Sequence, residues 1–357
     1  MSDKKKLIIF LCVFTLTAFG VIAVLLITQG APQQVTGQAQ VQPQVEFEMQ
    51  TVSFLPEIIG TAHAESYDSL GENLLRLEKA YPDLLEFGTA GKSSGGRELL
   101  MIKLGTGENK ALFVGGIHAR EHISTKYLLC CIETYCKAFH TDEGMLGSYD
   151  IRSLLSNFTL YIIPCANPDG LEIIHSREKP VSGVKVKKLA EYKANKNGVD
   201  LNRNFPLAWD SIDNGVKTPS ESFFKGYSAG SEPETKALTE LCRQNEFEFC
   251  ISVHIKGNCI YWGDLYNTAY NEAYKAYASN IANVCALKLT NPTVSPNDYG
   301  GGFENWFRHT FSRPGFCVEL IRNELNVLPL DDSNYNDFYG TVNYGSTVFL
   351  LAAAMRG

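Results

Sequence analysis

The amino-acid sequence predicts an α/β domain behind an N-terminal apolar segment, and three observations lead to this prediction. Short apolar runs alternate with longer amphipathic runs, which is typical of strands that alternate with helices. Several of the apolar runs lead directly into polar residues, the arrangement found at the carboxyl ends of strands in α/β proteins. No internal repeat or second linker interrupts the chain after residue 62. We therefore expect one globular domain over residues 63–357.

The N-terminus predicts a membrane anchor. Lys4, Lys5 and Lys6 precede residues 7–28, a run of 22 residues without a charge. As a helix this run would be about 33 Å long, enough to cross a bilayer. It is longer than a signal-peptide core, and no small-x-small cleavage pattern follows it closely. We expect an uncleaved, single-pass signal anchor over residues 1–28, with the domain extracytoplasmic. A cleaved signal peptide, which gives a secreted protein, and a buried core helix are the alternatives.

The next segment, residues 29–62, is predicted to be a stalk or linker. Residues 29–44 contain seven glutamines and no charge, a composition that cannot bury a core. Residues 45–54 alternate between apolar and polar side chains, so they could form an edge strand instead.

Charge and cysteine content exclude some classes of protein. The 32 basic and 39 acidic residues give a net charge of −7, and no basic stripe suited to nucleic acid is present. Nine cysteines remain after Cys12, an odd number without a CxxC pair. Several lie inside helix-like or strand-like runs. We expect mostly reduced, buried thiols, although an exported protein would normally oxidise them.

The domain's elements follow from periodicity and from capping residues. In chain order, the pattern predicts a helix over 66–81 that ends at Pro82, strands over 84–89, 98–104 and 111–114, a helix over 124–139, a helix from 231, a strand over 249–253, a helix over 270–287, a loop over 298–302, a helix over 303–311 and a strand over 315–320. Ser231 to Glu234 has the pattern of a capping box with a proline, so we interpret Glu232 and Glu234 as capping groups.

Three residues have the pattern of a catalytic metal site. His118 and Glu121 follow the strand over 111–114, and His254 ends the strand over 249–253. Zinc accepts imidazole and carboxylate together, and three protein ligands leave a fourth position for water. The HxxE spacing also arises by chance, and His254 alone could be an ordinary core histidine.

Two further charged residues have both a functional and a structural interpretation. Glu319 lies inside the strand over 315–320, where a carboxylate is costly to bury without a partner. It is either a general base beside the metal or a lone acid on a solvent face. Arg203 follows Asn202 in GVDLNRNFP and could bind a substrate carboxylate through a bidentate pair, or form a surface salt bridge.

Six motifs together resemble the zinc metallocarboxypeptidase family, the relatives of pancreatic carboxypeptidase A. They are HAREH, NPDG, GVDLNRNF, SEPET, SVH and FCVEL, in the family's order, and the resemblance covers about residues 63–357. It implies a mixed, mostly eight-stranded sheet flanked by helices and one Zn²⁺ per chain. The resemblance also implies roles for individual residues: His118, Glu121 and His254 as zinc ligands, Glu319 as general base and acid, and Arg120, Asn202 and Arg203 as anion-binding residues.

Finer features resemble the bacterial γ-D-glutamyl-diamino-acid peptidases of this family, which cut cell-wall peptides. These features are YKANKNGVDLNRNFP, HIKGNCIYW and YGGGFENWFRHTFSRPGF. Digestive carboxypeptidases usually have Ser-Tyr after the third ligand, where this chain has Ile255-Lys256. The resemblance implies a monomer that acts on wall peptides near the membrane. A carboxypeptidase that trims C-termini and a metal-free, membrane-tethered binding module are the alternatives.

The sequence departs from the family's pattern at two positions, and a third is specific to this chain. Lys196 stands nearest to the family's carbonyl-polarising arginine, and it would supply a point charge without the guanidinium fork. Tyr299 is the nearest match for the tyrosine that covers the substrate. Glu304 aligns with the base of the specificity pocket, where it would suit a basic or zwitterionic side chain such as lysine or diaminopimelate.

Overall fold

The computed structural model describes residues 57–59, 65–146, 149–181, 184, 186–285 and 287–321. The expected anchor over residues 1–28 and the alternating run over 45–54 lie outside these residues, as does most of the stalk over 29–62. Within the described ranges, no helix combines the length and the apolar character needed to cross a membrane.

A mixed eight-stranded sheet forms the centre of the domain, as the family resemblance implies. Its strands lie in the order β1-β2-β6-β3-β7-β10-β8-β9. The strands are β1 (Leu85–Lys92), β2 (Glu98–Leu104), β3 (Asn109–Val114), β6 (Phe158–Ile163), β7 (Phe247–Lys256), β8 (Cys259–Tyr261), β9 (Lys288–Leu289) and β10 (Gly315–Ile321), while β4 (Met145–Leu146) and β5 (Tyr149–Asp150) form a separate small hairpin. The four central strands β6, β3, β7 and β10 are parallel neighbours, so their carboxyl ends meet at one edge.

Helices cover both faces of this sheet. They are α1 (Tyr67–Ala80), α2 (His122–His140), α3 (Ile151–Asn157), α4 (Pro168–His175), α5 (Pro233–Gln244), α6 (Thr268–Val284), α7 (Pro296–Tyr299) and α8 (Phe303–Phe311). Helix α1 begins with a capping box between Ser66 and Ser69, which satisfies two backbone N–H groups at its start. One core cluster lies under α1, α2 and α6, and the other lies under α5 and α8. The central strands are therefore buried on both faces, which explains their continuous apolar runs.

The register of the central strands places residues of the site next to one another. Glu319 of β10 lies directly beside His254 of β7, and Val114 at the end of β3 lies beside Ser252. Strand β7 continues to Lys256, two residues beyond His254, because Ile255 is buried and pairing with β10 continues. The prediction that the strand ends at His254 was therefore wrong in its boundary, although the histidine lies in the expected strand.

The start of α5 differs from the sequence prediction. Its N-cap residue is Glu232, and no side chain there makes a capping hydrogen bond. Glu232 accepts hydrogen bonds from the side chains of Asn195 and Asn197, and Glu234 accepts one from the backbone N–H of Ser94. Glu232 and Glu234 therefore form hydrogen bonds to loops that are distant in the sequence, and their interpretation as capping groups was wrong.

None of the nine cysteines in the described part of the chain forms a disulfide. Eight are buried and Cys285 is half-buried. Burial raises the pKa of the Cys131 and Cys242 thiols, because a thiolate would lose its hydration there. This agrees with the prediction of reduced, buried cysteines.

Candidate metal centre and active site

The segment after β3 positions two of the three predicted metal-binding residues. Gly116 adopts a φ of 58°, a left-handed conformation that favours glycine, and its N–H donates to the Ser124 hydroxyl. This turn leads to His118 and then to Glu121, which immediately precedes α2. The Glu121 side chain makes no capping bond. Its carboxylate lies instead between two histidines.

His118, Glu121 and His254 converge on one point. Nδ1 of His118 lies 2.9 Å from one carboxylate oxygen of Glu121, and Nδ1 of His254 lies 2.9 Å from the other. One candidate ligand atom from each of the three residues lies within 4.8 Å of the other two. All three side chains are buried. Two imidazoles and one carboxylate are a donor set that suits zinc and leaves a coordination position open.

The charges in this cluster stabilise one another. Burial alone would raise the pKa of Glu121, but the two histidines hold it well below its usual range. Burial alone would lower the pKa of His254, but Glu121 raises it to about 9. The carboxylate is therefore charged near neutral pH, as a metal ligand must be.

Each histidine is also held through its second ring nitrogen. Nε2 of His118 lies 3.3 Å from Oδ1 of Asp200, and Nε2 of His254 lies 3.0 Å from the Ser252 hydroxyl. Such partners fix the tautomer and orientation of metal-binding histidines. The sequence analysis did not name Asp200, although an acid within GVDLNRNF, two residues before Asn202, could have suggested it. Burial alone would raise the pKa of Asp200, but His118 lowers it below the usual range.

A cavity of about 440 Å³ opens beside this cluster. Seven of the ten predicted site residues line it: His118, Asn202, Arg203, His254, Tyr299, Glu304 and Glu319. Glu121 lies between the two histidines, and it is not one of the lining residues. The wall includes residues of β7, β8, β10, α7, α8 and the 3-10 turn Leu201–Arg203, together with the loop over 290–293.

Glu319 faces the cluster from the neighbouring strand. The backbone N–H of Lys256 donates to its Oε2. Burial and the nearby charge of Glu121 raise the pKa of Glu319 to about 7, and the two histidines oppose this shift. A carboxyl group with this pKa can take up and release a proton near neutral pH.

The Leu201–Arg203 turn is hydrogen-bonded to the start of α8. Oδ1 of Asn202 accepts a hydrogen bond from the backbone N–H of Phe303, 2.8 Å away, at the start of that helix. Gly301 has a φ of 70°, and a Cβ there would come within 2.2 Å of the Arg203 carbonyl oxygen. Only a glycine allows this close approach. Asn202 and Arg203 therefore enter the cavity wall together with Glu304.

The structure does not bring Lys196 or Arg120 into the cavity wall. Nζ of Lys196 lies 2.8 Å from Glu178 in an ion pair outside the lining residues. Arg120 is buried beside Glu121, 3.8 Å away, and donates to the Ala190 carbonyl. Lys193 lines the cavity instead, three residues before Lys196.

The sequence analysis missed Lys193. It lies between Tyr192 and Ala194, both fully buried, in a connection whose sequence has no helical or strand periodicity that could have indicated it. Its charge also contributes to the lowered pKa of Asp200, together with those of His118 and Arg203.

Tyr299 and Glu304 lie in the cavity wall in more rigid surroundings than expected. Tyr299 ends the one-turn helix α7, and its side chain is fully buried rather than part of an open loop. Glu304 lies in the first turn of α8 and is 4% exposed. A carboxylate oxygen of Glu304 lies within 4.8 Å of a ring nitrogen of His254.

Comparison with known proteins agrees with this fold and donor set. The sequence model of a family described as zinc carboxypeptidase matches residues 72–332. The fold resembles bovine thrombin-activatable fibrinolysis inhibitor, solved with a tick carboxypeptidase inhibitor, with a TM-score of 0.64, 22% identity, and coverage of 82% of this chain and 97% of that one.

The chain therefore belongs to the zinc carboxypeptidase family and is a zinc-dependent peptidase, a hydrolase. Among individual proteins, it is 28% identical to γ-D-glutamyl-L-diamino acid endopeptidase 1 of Lysinibacillus sphaericus over 287 residues, 77% of this chain and 70% of the relative. It is 30% identical to YqgT of Bacillus subtilis over 69% of this chain and 67% of that protein. It is 27% identical to the catalytic chain of mouse carboxypeptidase N, over 53% of this chain and 41% of the relative.

Proposed function

We propose that this peptidase hydrolyses γ-D-glutamyl-diamino acid bonds in the stem peptides of the bacterial cell wall. The observation that carries the proposal is the buried His118, Glu121 and His254 cluster, with Glu319 beside it on the neighbouring strand and a further buried acid, Glu304, in the wall of the same cavity. The cluster suits peptide hydrolysis, and the acid suits the positive charge of a diamino acid. The similarity to the Lysinibacillus endopeptidase supports the same substrate class.

His118, Glu121 and His254 would hold one zinc ion. When bound, zinc supplies a Lewis acid that polarises the scissile carbonyl and lowers the pKa of a water molecule. Glu319, with its pKa raised to about 7, accepts a proton at its carboxylate and later donates one to the leaving amine. Asp200 and Ser252 keep the two imidazole rings in place.

The cavity's cations would bind and orient the substrate. Lys193 lines the cavity and would supply positive charge to a carbonyl oxygen that develops negative charge, a contribution worth about 3 kcal/mol when well positioned. Arg203 would pair with a substrate carboxylate, with its Nη1 anchored on the Asn202 carbonyl at 2.8 Å. In a γ-D-glutamyl peptide this carboxylate need not be the chain terminus.

Mass spectrometry of digested wall peptides tests the proposal. The purified full-length chain, loaded with one equivalent of zinc in mild detergent, is incubated with muropeptides and with α-linked peptides. We expect release of a fragment that ends in D-Glu. Trimming of α-linked C-terminal residues alone would instead support a carboxypeptidase, the function named for the mouse relative.

A Glu319→Gln variant should keep its zinc and lose nearly all turnover. Activity above a few per cent of wild type would contradict the role of Glu319.

We also propose that the enzyme is a monomer anchored in the cell membrane by residues 1–28, with the peptidase domain outside. The 22-residue uncharged run after three lysines supports this placement. Fractionation of cells that express the full chain should find it in the membrane pellet after alkaline extraction. Its recovery in the medium would indicate cleavage of the N-terminal segment.

A further inference from the structure

An exposed phenylalanine near the cavity adopts a backbone conformation that this residue type rarely takes. Phe223 has a φ of 65°, in the left-handed region that favours glycine. It is 44% exposed, so burial of its ring offsets only part of the strain. Strained residues persist only where their surroundings hold them, and they are concentrated at functional sites. We therefore looked for the reason for the strain in the contacts of Phe223.

Hydrogen bonds on both sides of Phe223 hold this conformation. Its backbone N–H donates to Oδ2 of Asp200 at 3.1 Å, and its carbonyl accepts a hydrogen bond from the Asn214 side chain at 2.6 Å. The next residue, Phe224, is buried, and its carbonyl accepts a hydrogen bond from the backbone N–H of Asp200 at 2.8 Å. Phe224 is therefore packed inside the domain, while Phe223 remains at the surface.

The ring of Phe223 lies against the ammonium group of Lys193. Nζ of Lys193 is 5.3 Å from the centroid of the ring, within the range of a cation–π interaction. In the described part of the chain this ammonium makes no hydrogen bond or ion pair, whereas Lys196 is paired with Glu178. A lysine side chain is long and flexible, so an ammonium without other partners would take up many positions. The contact with the ring restricts those positions.

Phe223 thus contacts both Lys193, which lines the cavity, and Asp200, the acid that orients His118. Because φ sets the direction of a side chain relative to its own N–H, an ordinary negative φ would break one of the two contacts. We propose that Phe223 is a positioning residue for Lys193, whose ammonium its ring holds at the cavity wall. Phe223 does not line the cavity itself, so it acts through Lys193. This inference rests on the role of Lys193 in the proposed function.

A double-mutant cycle tests whether Phe223 acts through Lys193. Loss of a cation–π contact at a partly exposed site should lower kcat/KM of Phe223→Leu by about 2- to 5-fold. The same substitution should have no effect in a Lys193→Met background, because no cation is left to position. Phe223→Trp should keep the wild-type kcat/KM, since an indole ring binds cations at least as well. Equal losses in both backgrounds would show that Phe223 only supports the fold, and would overturn the inference.

Relief of the strain separates a positioning role from a structural one. Phe223→Ala and Phe223→Gly both remove the ring, but only glycine adopts a φ of 65° without strain. The glycine variant should therefore have the higher Tm, while both variants lose the same activity, about 2- to 5-fold in kcat/KM. A glycine variant whose activity recovers with its stability would overturn the inference. Tyr227→Leu is the matched control and should keep the wild-type kcat/KM, because Tyr227 is 75% exposed in the same segment and does not line the cavity.

Nuclear magnetic resonance measures the contact without a substrate. Reductive methylation with isotope-labelled formaldehyde places methyl probes on the lysines, and Lys193→Arg identifies the Lys193 signal. We expect an upfield ring-current shift of this signal in wild type, and loss of the shift in Phe223→Leu. Lys225 is the internal control, since its Nζ lies 4.1 Å from the centroid of the Trp209 ring and its shift should persist in both proteins. A Lys193 signal that is the same in wild type and Phe223→Leu would overturn the inference.

The outcomes also separate this inference from the proposed function. The kinetics use whichever peptide the zinc-loaded full-length enzyme hydrolyses, and circular dichroism and zinc content show that each variant is folded. If only α-linked peptides are cut and Phe223→Leu has an effect only when Lys193 is present, the proposed substrate is wrong and the positioning role of Phe223 stands. If γ-D-glutamyl peptides are cut but Phe223→Leu has the same effect with and without Lys193, the proposed function stands and the positioning role is wrong.

Discussion

Two lysines that are only three residues apart, Lys193 and Lys196, lie in different surroundings. Lys193 lines the cavity, while Lys196 is neutralised by Glu178 outside it. If Lys193 stabilises the developing oxyanion, Lys193→Met should lower kcat/KM about 100-fold, equivalent to about 3 kcal/mol. Lys196→Met should stay within about 3-fold of wild type. Steady-state kinetics on one peptide decides between the two residues, and the reverse order of effects would restore Lys196 to the role that the sequence predicted for it.

Asp200 is the residue through which His118 is oriented. Loss of such a partner typically weakens metal binding by 10- to 100-fold, because the imidazole is no longer held in one tautomer and position. Asp200→Asn should therefore raise the zinc dissociation constant by about that factor, as measured by competition with a chromogenic chelator. Asp213→Asn is the control, since Asp213 pairs with Lys217 on the surface. An unchanged zinc affinity in Asp200→Asn would show that Asp200 is not needed to orient His118.

The sequence predicted the metal-binding residues better than it predicted the residues that surround them. The two histidines and Glu121 could be found because they follow apolar strands at a spacing that suits a metal. Lys193 could not be assigned in this way, because its position depends on the long connection between α4 and α5, which leaves no periodic pattern in the sequence. Asp200 lies in the same connection, and only its place in the GVDLNRNF motif could have indicated it.

At the scale of elements, the start of α5 is hydrogen-bonded to the loop that carries Lys193, through Glu232 and the side chain of Asn195. Glu234 is fully buried and accepts a hydrogen bond from Ser94 N–H. Burial, reinforced by the charge of Glu232, raises the pKa of Glu234 to about 7, while the hydrogen bonds from Ser94 oppose this shift. The folded state therefore keeps a proton that the unfolded state loses at a lower pH.

This difference predicts a pH-dependent stability. Between about pH 4.5, the ordinary pKa in the unfolded chain, and pH 7, the contribution of Glu234 to the free energy of unfolding of the wild type should fall by up to about 3 kcal/mol, and it then stays constant above pH 7. Glu234→Gln is neutral throughout, so its stability relative to wild type should rise by that amount across the same window. Urea titrations at pH 5 and pH 8 measure it. Glu240→Gln, exposed on the same helix, should differ from wild type by less than about 0.5 kcal/mol at either pH. A constant difference between Glu234→Gln and wild type would contradict the raised pKa.

Most elements of the fold could be predicted because their boundaries are set locally. Ser66 caps α1, and the apolar runs around Leu112 and Val318 are buried as parallel strands. The central strand β6 and the helices α3 and α4 were not predicted, although the FTLYII run of β6 is rich in apolar and β-branched residues. The short strands β8 and β9 were not predicted either. They have only three and two residues, and pairing at the edge of the sheet, rather than their own composition, makes them strands.

At the scale of the whole molecule, the metal centre and the core are separate. Two large apolar core clusters lie one on each face of the sheet, and a small third cluster contains Ala119 beside His118, while the metal cluster lies at the edge where β3, β7 and β10 end. We therefore expect the eight strands to keep their packing whether or not the cluster holds an ion. This separation explains how a site of buried charges can exist in a domain that is stabilised mainly by hydrophobic burial.

Removal of zinc should therefore abolish activity without unfolding the domain. Treatment with 1,10-phenanthroline followed by dialysis should leave the far- and near-ultraviolet circular dichroism close to that of the loaded enzyme. The loaded form should be more stable by about 2.7 kcal/mol when free zinc is 100 times its dissociation constant, which corresponds to a Tm higher by roughly 5–10 °C. Zinc should restore turnover, whereas Mg²⁺ should not, because Mg²⁺ prefers an octahedral shell of oxygen ligands and this cluster offers two imidazole nitrogens. Loss of the near-ultraviolet signal on chelation would show instead that the metal stabilises the fold itself, and that the separation of core and site is incomplete.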